Sequence, residues 1–148
     1  MAIRESVFTQ GCLLERATYL AAFEGKPMSM LFRALRAYQN EDGGFGHGIE
    51  PDLLTPGSSA IGAETALTIL DMLKSRDESL LREVAAWVER NLTSDGILPH
   101  PPEDVEHYPF QIWWSHKDRE RVLTCPPKLI QHYKVIGYHD KRQRASVP

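Results

Sequence analysis

Between Tyr38 and Asp52 the chain reads Tyr-Gln-Asn-Glu-Asp-Gly-Gly-Phe-Gly-His-Gly-Ile-Glu-Pro-Asp, and this stretch restricts the fold more than any other. Four of the ten glycines, Gly43, Gly44, Gly46 and Gly48, fall within six residues. That density suits backbone at positive φ or backbone pressed against another surface. Phe45 in their midst is an apolar anchor, which a freely flexible linker would not carry. The pattern predicts a compact connection that leaves one helix, folds onto the domain and delivers Glu50 and Asp52 to a fixed place.

Helical periodicity flanks this loop on both sides. Leu13, Leu14, Ala17, Leu20 and Ala21 recur at helical spacing, predicting a first helix over 6–23 with Gly25 as its stop. Pro27 can open a second, with Met28, Leu31, Phe32, Leu35 and Tyr38 along one face that runs into the loop. After the cap and turn residues 55–59, a third helix over 58–74 buries Ala63, Ala66, Leu67, Leu70 and Leu73. The small side chains of Ala60, Gly62, Ala63 and Ala66 suit a central helix that a neighbour approaches closely or that borders a cavity. Asp77 caps a fourth helix running to Leu92, with Leu81, Val84, Ala85, Val88 and Leu92 inward. Pro99, Pro101, Pro102 and Pro109 then exclude regular helix, and the run Phe110-Gln111-Ile112-Trp113-Trp114 is too aromatic to be left in water. A last helix over 126–135, capped by Thr124, precedes a basic polar tail, 139–148. No strand pattern appears, so the expected fold is all-α, an array of antiparallel helix hairpins in a single domain, 1–138.

Charge is distributed unevenly along this array. Residues 1–116 hold 9 basic and 17 acidic side chains, whereas 117–148 hold 8 basic and 3 acidic. An acidic body argues against nucleic acid as a partner. No apolar run approaches the roughly 18–20 residues needed to span a bilayer, and the first residues lack the long uncharged segment of a secretory signal, so the cytoplasm is the expected address. Cys12 and Cys125 have no metal-type spacing and are expected as reduced, buried thiols. No cofactor and no metal are expected.

The run Tyr38 to Gly46, followed by a small-residue helix, resembles the repeat of the prenyltransferase and squalene-cyclase superfamily. The α/α toroids of that superfamily alternate outer and inner helices joined by Gln…Gly-Gly-Phe or Gln…Gly-x-Trp connections. The chain is also similar to a group of uncharacterised bacterial prenyltransferase-like proteins, in Leu14-Glu15-Arg16, the Gln-Asn-x-Asp-Gly-Gly-Phe-Gly-His run, Glu50-Pro51-Asp52 and Trp113-Trp114. The similarity covers roughly residues 13–73. It implies structural roles for Gln39, Gly43, Gly44 and Phe45, which would tie repeats together. The zinc ligands of protein prenyltransferases, the Asp-x-Asp-Asp acid of triterpene cyclases and the Asp-Asp-x-x-Asp diphosphate motif are absent, so the mechanism does not transfer with the fold. Comparable helical hairpins take on the order of 40–47 residues each, and this length makes half of a toroid. A concave face would then be covered by a second copy, by sequence beyond this stretch, or left as a groove.

Within that frame Glu50, Asp52 and Glu64 are the candidate catalytic carboxylates. Glu50 and Asp52 flank a stiff proline; the competing reading has one of them accepting loop or helix-start N–H groups near a helix dipole. Glu64 lies in the first turns of the small-sided helix. His47, three residues before Glu50, could join a His-x-x-Glu-x-Asp set, and Trp113 or Trp114 could stack on a ligand. Three functions fit these residues. One is a prenyltransferase-like or terpene-cyclase-like enzyme with a hydrophobic ligand. A carbohydrate-active toroid with carboxylate acid and base is another. The third is a non-catalytic half ring that binds a partner or dimerises.

Overall fold

Gly11 and Cys12 interrupt what helical periodicity reads as one first helix. The computed structural model describes residues 2–94, 98 and 101–115. In it α1 spans Ile3–Gln10 and α2 spans Leu13–Phe23. The break has a local cause that corrects the expected continuous helix. The Cys12 side chain accepts from the N3 backbone while the Glu15 carboxylate accepts the Cys12 N–H at 2.7 Å, a capping box with a thiol where a hydroxyl is usual. Cys12 is consequently exposed, not buried as expected, and Leu13 beside it is 62% exposed. α1 buries nothing and lies on α2 through Arg4, which pairs with Glu24 at 2.8 Å, and through Phe8, edge-on to Tyr19 at 6.2 Å.

A short turn at 24–27 reverses the chain into α3, Met28–Arg36, which packs on α2. Short connections of this kind join antiparallel neighbours. Leu14, Ala17, Leu31 and Leu35 meet between them. α4, Ala60–Met72, is the most enclosed element, with Ala60, Gly62, Ala63, Glu64, Ala66, Leu67 and Leu70 all buried. Ser59 caps it by accepting the Gly62 N–H at 3.0 Å, and Asp77 caps α5, Glu78–Asn91, by accepting the Leu80 N–H at 2.9 Å. α5 sets Leu80, Leu81, Val84, Trp87 and Val88 against the common core, whereas Leu92, expected inside, is exposed.

The glycine loop lies between these helices. Gly43 donates to the Asn40 carbonyl at 2.9 Å, Asn40 donates to Gly44 at 2.9 Å and Gly46 donates to Tyr38 at 3.0 Å, so the chain turns back on itself. At Gly43 φ is +89°, and a Cβ there would sit 2.5 Å from the Glu83 carbonyl oxygen of α5. A Cβ at Gly44 would meet Ser58 at 2.5 Å and the Trp87 ring at 2.7 Å. Phe45 is wholly buried, and its carbonyl accepts the Ser59 N–H at 2.9 Å, joining the loop to the start of α4. Arg36 at the end of α3 pairs with Glu83 of α5 and donates to Gln39 at 2.7 Å, while Gln39 donates to the Gly43 carbonyl at 3.0 Å. Arg90 of α5 donates to the Asp42 carbonyl. α3, α4 and α5 are thus fastened through one short segment.

Beyond α5 the described part of the proline-rich stretch forms two 3-10 turns, Val105–His107 and Ile112–Trp114. It is strapped to residues 52–55: Leu54 donates to Pro109 at 3.0 Å, Gln111 to Asp52 at 3.0 Å and the Thr55 hydroxyl to Asp104 at 2.8 Å. Its aromatic run is withdrawn from water only in part: Phe110 and Trp114 are half-buried, whereas Ile112 is 72% and Trp113 59% exposed. The described residues are all-α, with isolated bridges and no strand. No helix among them is long and apolar enough to cross a membrane. The expected last helix, Cys125 and the basic tail lie outside the described residues.

Candidate functional site

A turn decides where the two acids beside Pro51 go. Leu53 donates to the Glu50 carbonyl at 3.1 Å, closing a four-residue turn with proline at its second position, where a fixed φ is pre-set. The side chains on either side of the proline leave in different directions. Glu50 enters a groove of about 780 Å³ between α2, the 48–51 segment and α4. Asp52 does not line that groove. Its Oδ2 accepts the Trp113 indole N–H at 3.0 Å, while its Oδ1 is buried without a hydrogen-bond partner among the described residues.

Cys12, Glu15, Tyr19, Tyr38, Glu50 and Thr65 supply the groove's chemistry, and Leu14, Phe23, Ile49, Pro51 and Ile69 its apolar walls. The Thr65 hydroxyl, one turn inside α4, donates to the Glu50 carboxyl and fixes its orientation. Burial pushes the Glu50 carboxyl above its ordinary range. The Thr65 hydrogen bond opposes that shift, and the negative charges of Asp52 and Glu64 add to it. Tyr38, where α3 runs into the loop, is pushed up to about 12, first by burial and then by its contact with the Cys12 thiol. The phenol stays a neutral donor at any physiological pH.

The other expected site residues are dispersed. Glu64 is buried on α4, 9% exposed, and acts on Glu50 through its charge without lining the groove. His47 is exposed with φ at +55°. Among the described residues no group of three or more His, Cys, Asp or Glu is gathered as a metal site would need, so His47, Glu50 and Asp52 do not converge. Trp113 exposes one ring beside Asp52 and Trp114 is half-buried; neither lines the groove. Of the three carboxylates taken together from sequence, Glu50 alone faces the cavity. Gln39, Gly43, Gly44 and Phe45 make the contacts of a tie between helices and do not line the groove.

Cys12, Glu15, Tyr38 and Thr65 belong to the groove, and sequence reasoning does not single them out for chemistry. Only one pair carries a readable signal. Cys12-x-x-Glu15 has the spacing of a capping box, which places a helix start and hence both side chains at one end of α2. Tyr38 and Thr65 join Glu50 in the groove lining through tertiary packing, for which the sequence offers no local mark.

Comparison with known proteins adds no relative: no family model, no curated protein and no solved structure matches the chain.

Proposed function

We propose that the chain is a prenyltransferase-like or terpene-cyclase-like helical protein, part of an α/α toroid, whose groove takes a mainly apolar, isoprenoid-type ligand and whose Glu50 exchanges a proton with it. The observation that carries this reading is the carboxyl of Glu50 in a largely apolar cavity, held by the Thr65 hydroxyl and pushed upward by burial. A carboxyl so placed keeps its proton more readily than an exposed one, which is the direction general acid work asks for. In the step it would support, Glu50 gives its proton to a ligand double bond. The resulting carboxylate then takes a proton from a neighbouring carbon, so that the net change is an isomerisation. In the same reading a second copy of the chain covers the open side of the groove.

The test is a series of prenyl alcohols of increasing length, titrated into the protein and followed by native mass spectrometry. Affinity should rise with each added isoprene unit and be indifferent to chelators. Glu50→Gln should bind the series and lose any double-bond isomerisation. Failure of every alcohol to bind, or affinity independent of length, would overturn the reading. Sedimentation across concentrations reports whether two copies associate.

The exposed Trp113 ring, with its indole fixed by Asp52, favours a second reading, carbohydrate stacking. Glycoside hydrolysis asks for two carboxyls flanking one bond. Glu50 and Asp52 sit on different sides of their turn, which makes Trp113 a binding surface in this reading and leaves the acid–base pair unassigned. Sugar affinity lost in Trp113→Ala, with hydroxyl stereochemistry discriminated, would support it.

A further inference from the structure

α1 joins α2 through one residue that neither helix fixes. The Gly11 N–H donates to the Val7 carbonyl at 2.9 Å, so the peptide plane before its α-carbon belongs to α1. The Gly11 carbonyl accepts from Arg16 Nε at 2.8 Å, so the plane after it belongs to α2. Between those two planes lie only the φ and ψ of a glycine. From this pivot α1 runs back along α2, with Phe8 edge-on to Tyr19 midway and Arg4 on Glu24 at the far end. α2 is one wall of the groove, and Tyr19 and Phe23 belong to the lining. Resting on the reading that this groove holds the ligand, we propose that α1 is a hinged cover along the groove's rim, which swings about Gly11 to admit the ligand and closes again behind it.

The fastening of α1 is what a part that opens and shuts requires. It consists of the Arg4–Glu24 pair, the Phe8–Tyr19 ring contact and the Arg4 guanidinium 4.7 Å over the Phe8 ring. The Arg4 side chain is 59% exposed, and contacts of these kinds at a surface are each weak. None of the residues of α1 is buried, so lifting the helix uncovers no core and costs far less than unfolding the domain. The α2 side of the pivot is held firmly by comparison, because Glu15 accepts the Cys12 N–H and Arg16 grips the Gly11 carbonyl. Hinges elsewhere are likewise a few residues at the ends of elements, between bodies that stay intact. Position supplies the second argument. Gln10 of α1 lines the groove, and a smaller hollow of about 360 Å³, lined by Ser6, Val7, Gln10, Gly11 and Glu15, shares Gln10 and Glu15 with it. Raising α1 opens the groove toward that hollow along the rim. The latch also engages the lining directly, since the Tyr19 ring that receives Phe8 stands 5.1 Å from the Phe23 ring. Closure needs the glycine as well, because a Cβ at Gly11 would sit 2.5 Å from the Val7 carbonyl oxygen.

Two measurements on the full chain test the cover. In hydrogen exchange the amides of residues 6–11 should open well ahead of those of α4, and exchange in step with α4 would mean that α1 never leaves a folded domain and would overturn the hinge. Farnesol is the probe for the second, its association and dissociation rates read by surface plasmon resonance. Arg4→Ala removes the ion pair and the cation from the ring, and should raise both rates about 2- to 10-fold. Phe8→Ala removes both ring contacts, and should raise them about 5- to 50-fold. The two rates should rise by the same factor and leave the dissociation constant where it was, because neither residue lines the groove. Melting curves check that α2 to α5 stay folded in both variants. Rates that neither substitution moves would overturn the cover and leave the groove standing as a ligand site. A rise in dissociation alone would make α1 a fixed wall of the site and would also overturn it. Farnesol that binds neither the parent nor the variants would sink the groove reading, and the cover with it.

Discussion

Replacing Gly62 by alanine sets a familiar gain against a steric cost that only the docked loop creates. Inside a helix, with φ in the ordinary range, Gly→Ala normally stabilises by about 1 kcal/mol. Here the new Cβ would stand 2.9 Å from the Phe45 carbonyl carbon and closer still to its oxygen. Both are backbone atoms, and they cannot swing aside as a flexible side chain would. Relief requires the loop to lift from α4. That stretches the 2.9 Å hydrogen bond from Ser59 N–H to Phe45, worth about 1 kcal/mol, and shifts a wholly buried ring. Overpacking of this kind costs about 1–3 kcal/mol. The balance is a net loss of about 2 kcal/mol, a fall in Tm of about 4–8 °C for a chain of this size. Thermal and urea unfolding followed by circular dichroism measure it. Gly25→Ala is the control, because φ there is +60° and a methyl group at that position meets no atom within 4 Å, so only the backbone penalty of about 1 kcal/mol applies. A Gly62→Ala protein that melts at or above the parent would refute the claim that the Phe45 carbonyl is seated on α4.

Glu50 gives a prediction with a definite sign. Its folded-state carboxyl is raised above the ordinary 4.5, so the native chain holds the proton longer than the unfolded one. As pH rises from 4.5 through the raised value, the unfolded chain ionises first and stability falls. Glu50→Gln should flatten that slope and gain on the parent as pH rises, and urea midpoints from about pH 4 to 8 would disprove this if the two profiles stayed parallel. Asp77→Ala should cost about 1 kcal/mol by removing the acceptor for Leu80 N–H, while Asp77→Asn retains most of it, both read from urea midpoints. In a Cys125→Ser background, Cys12 should react with a thiol reagent in the native protein without denaturant, and protection until unfolding would contradict its exposure.

The helices from α3 to α5 are legible in the sequence because their apolar spacing and their caps agree. Asp77 sits where a cap belongs, Ser59 precedes the small-residue run, and Leu31, Leu35, Leu67 and Leu70 are buried as periodicity asks. The first helix is not legible as two, because Leu13 and Leu14 continue the apolar period across a break set by Gly11 and a cysteine cap, which periodicity does not register. The glycine loop announces that it must be compact, but not that Gly43 abuts Glu83 of α5, a contact between residues far apart in the chain. For the site, composition and spacing name Glu50 and do not separate it from Asp52. The residues about Pro51 are read as carrying both carboxyls to one place, and only packing separates them, Glu50 into the cavity and Asp52 onto Trp113. Trp113 and Ile112 are expected inside on composition alone, and a strap held by backbone hydrogen bonds does not need to bury them.

The turn at 50–53 serves two masters. One carboxylate belongs to the groove wall, and two residues later another anchors the strap through its carbonyl and its side chain. Both residues belong to one hydrogen-bonded turn, and the Trp113 indole is fastened to its Asp52 side. The indole of Trp113 is thus a native fluorophore hydrogen-bonded to the turn whose other acid lines the groove.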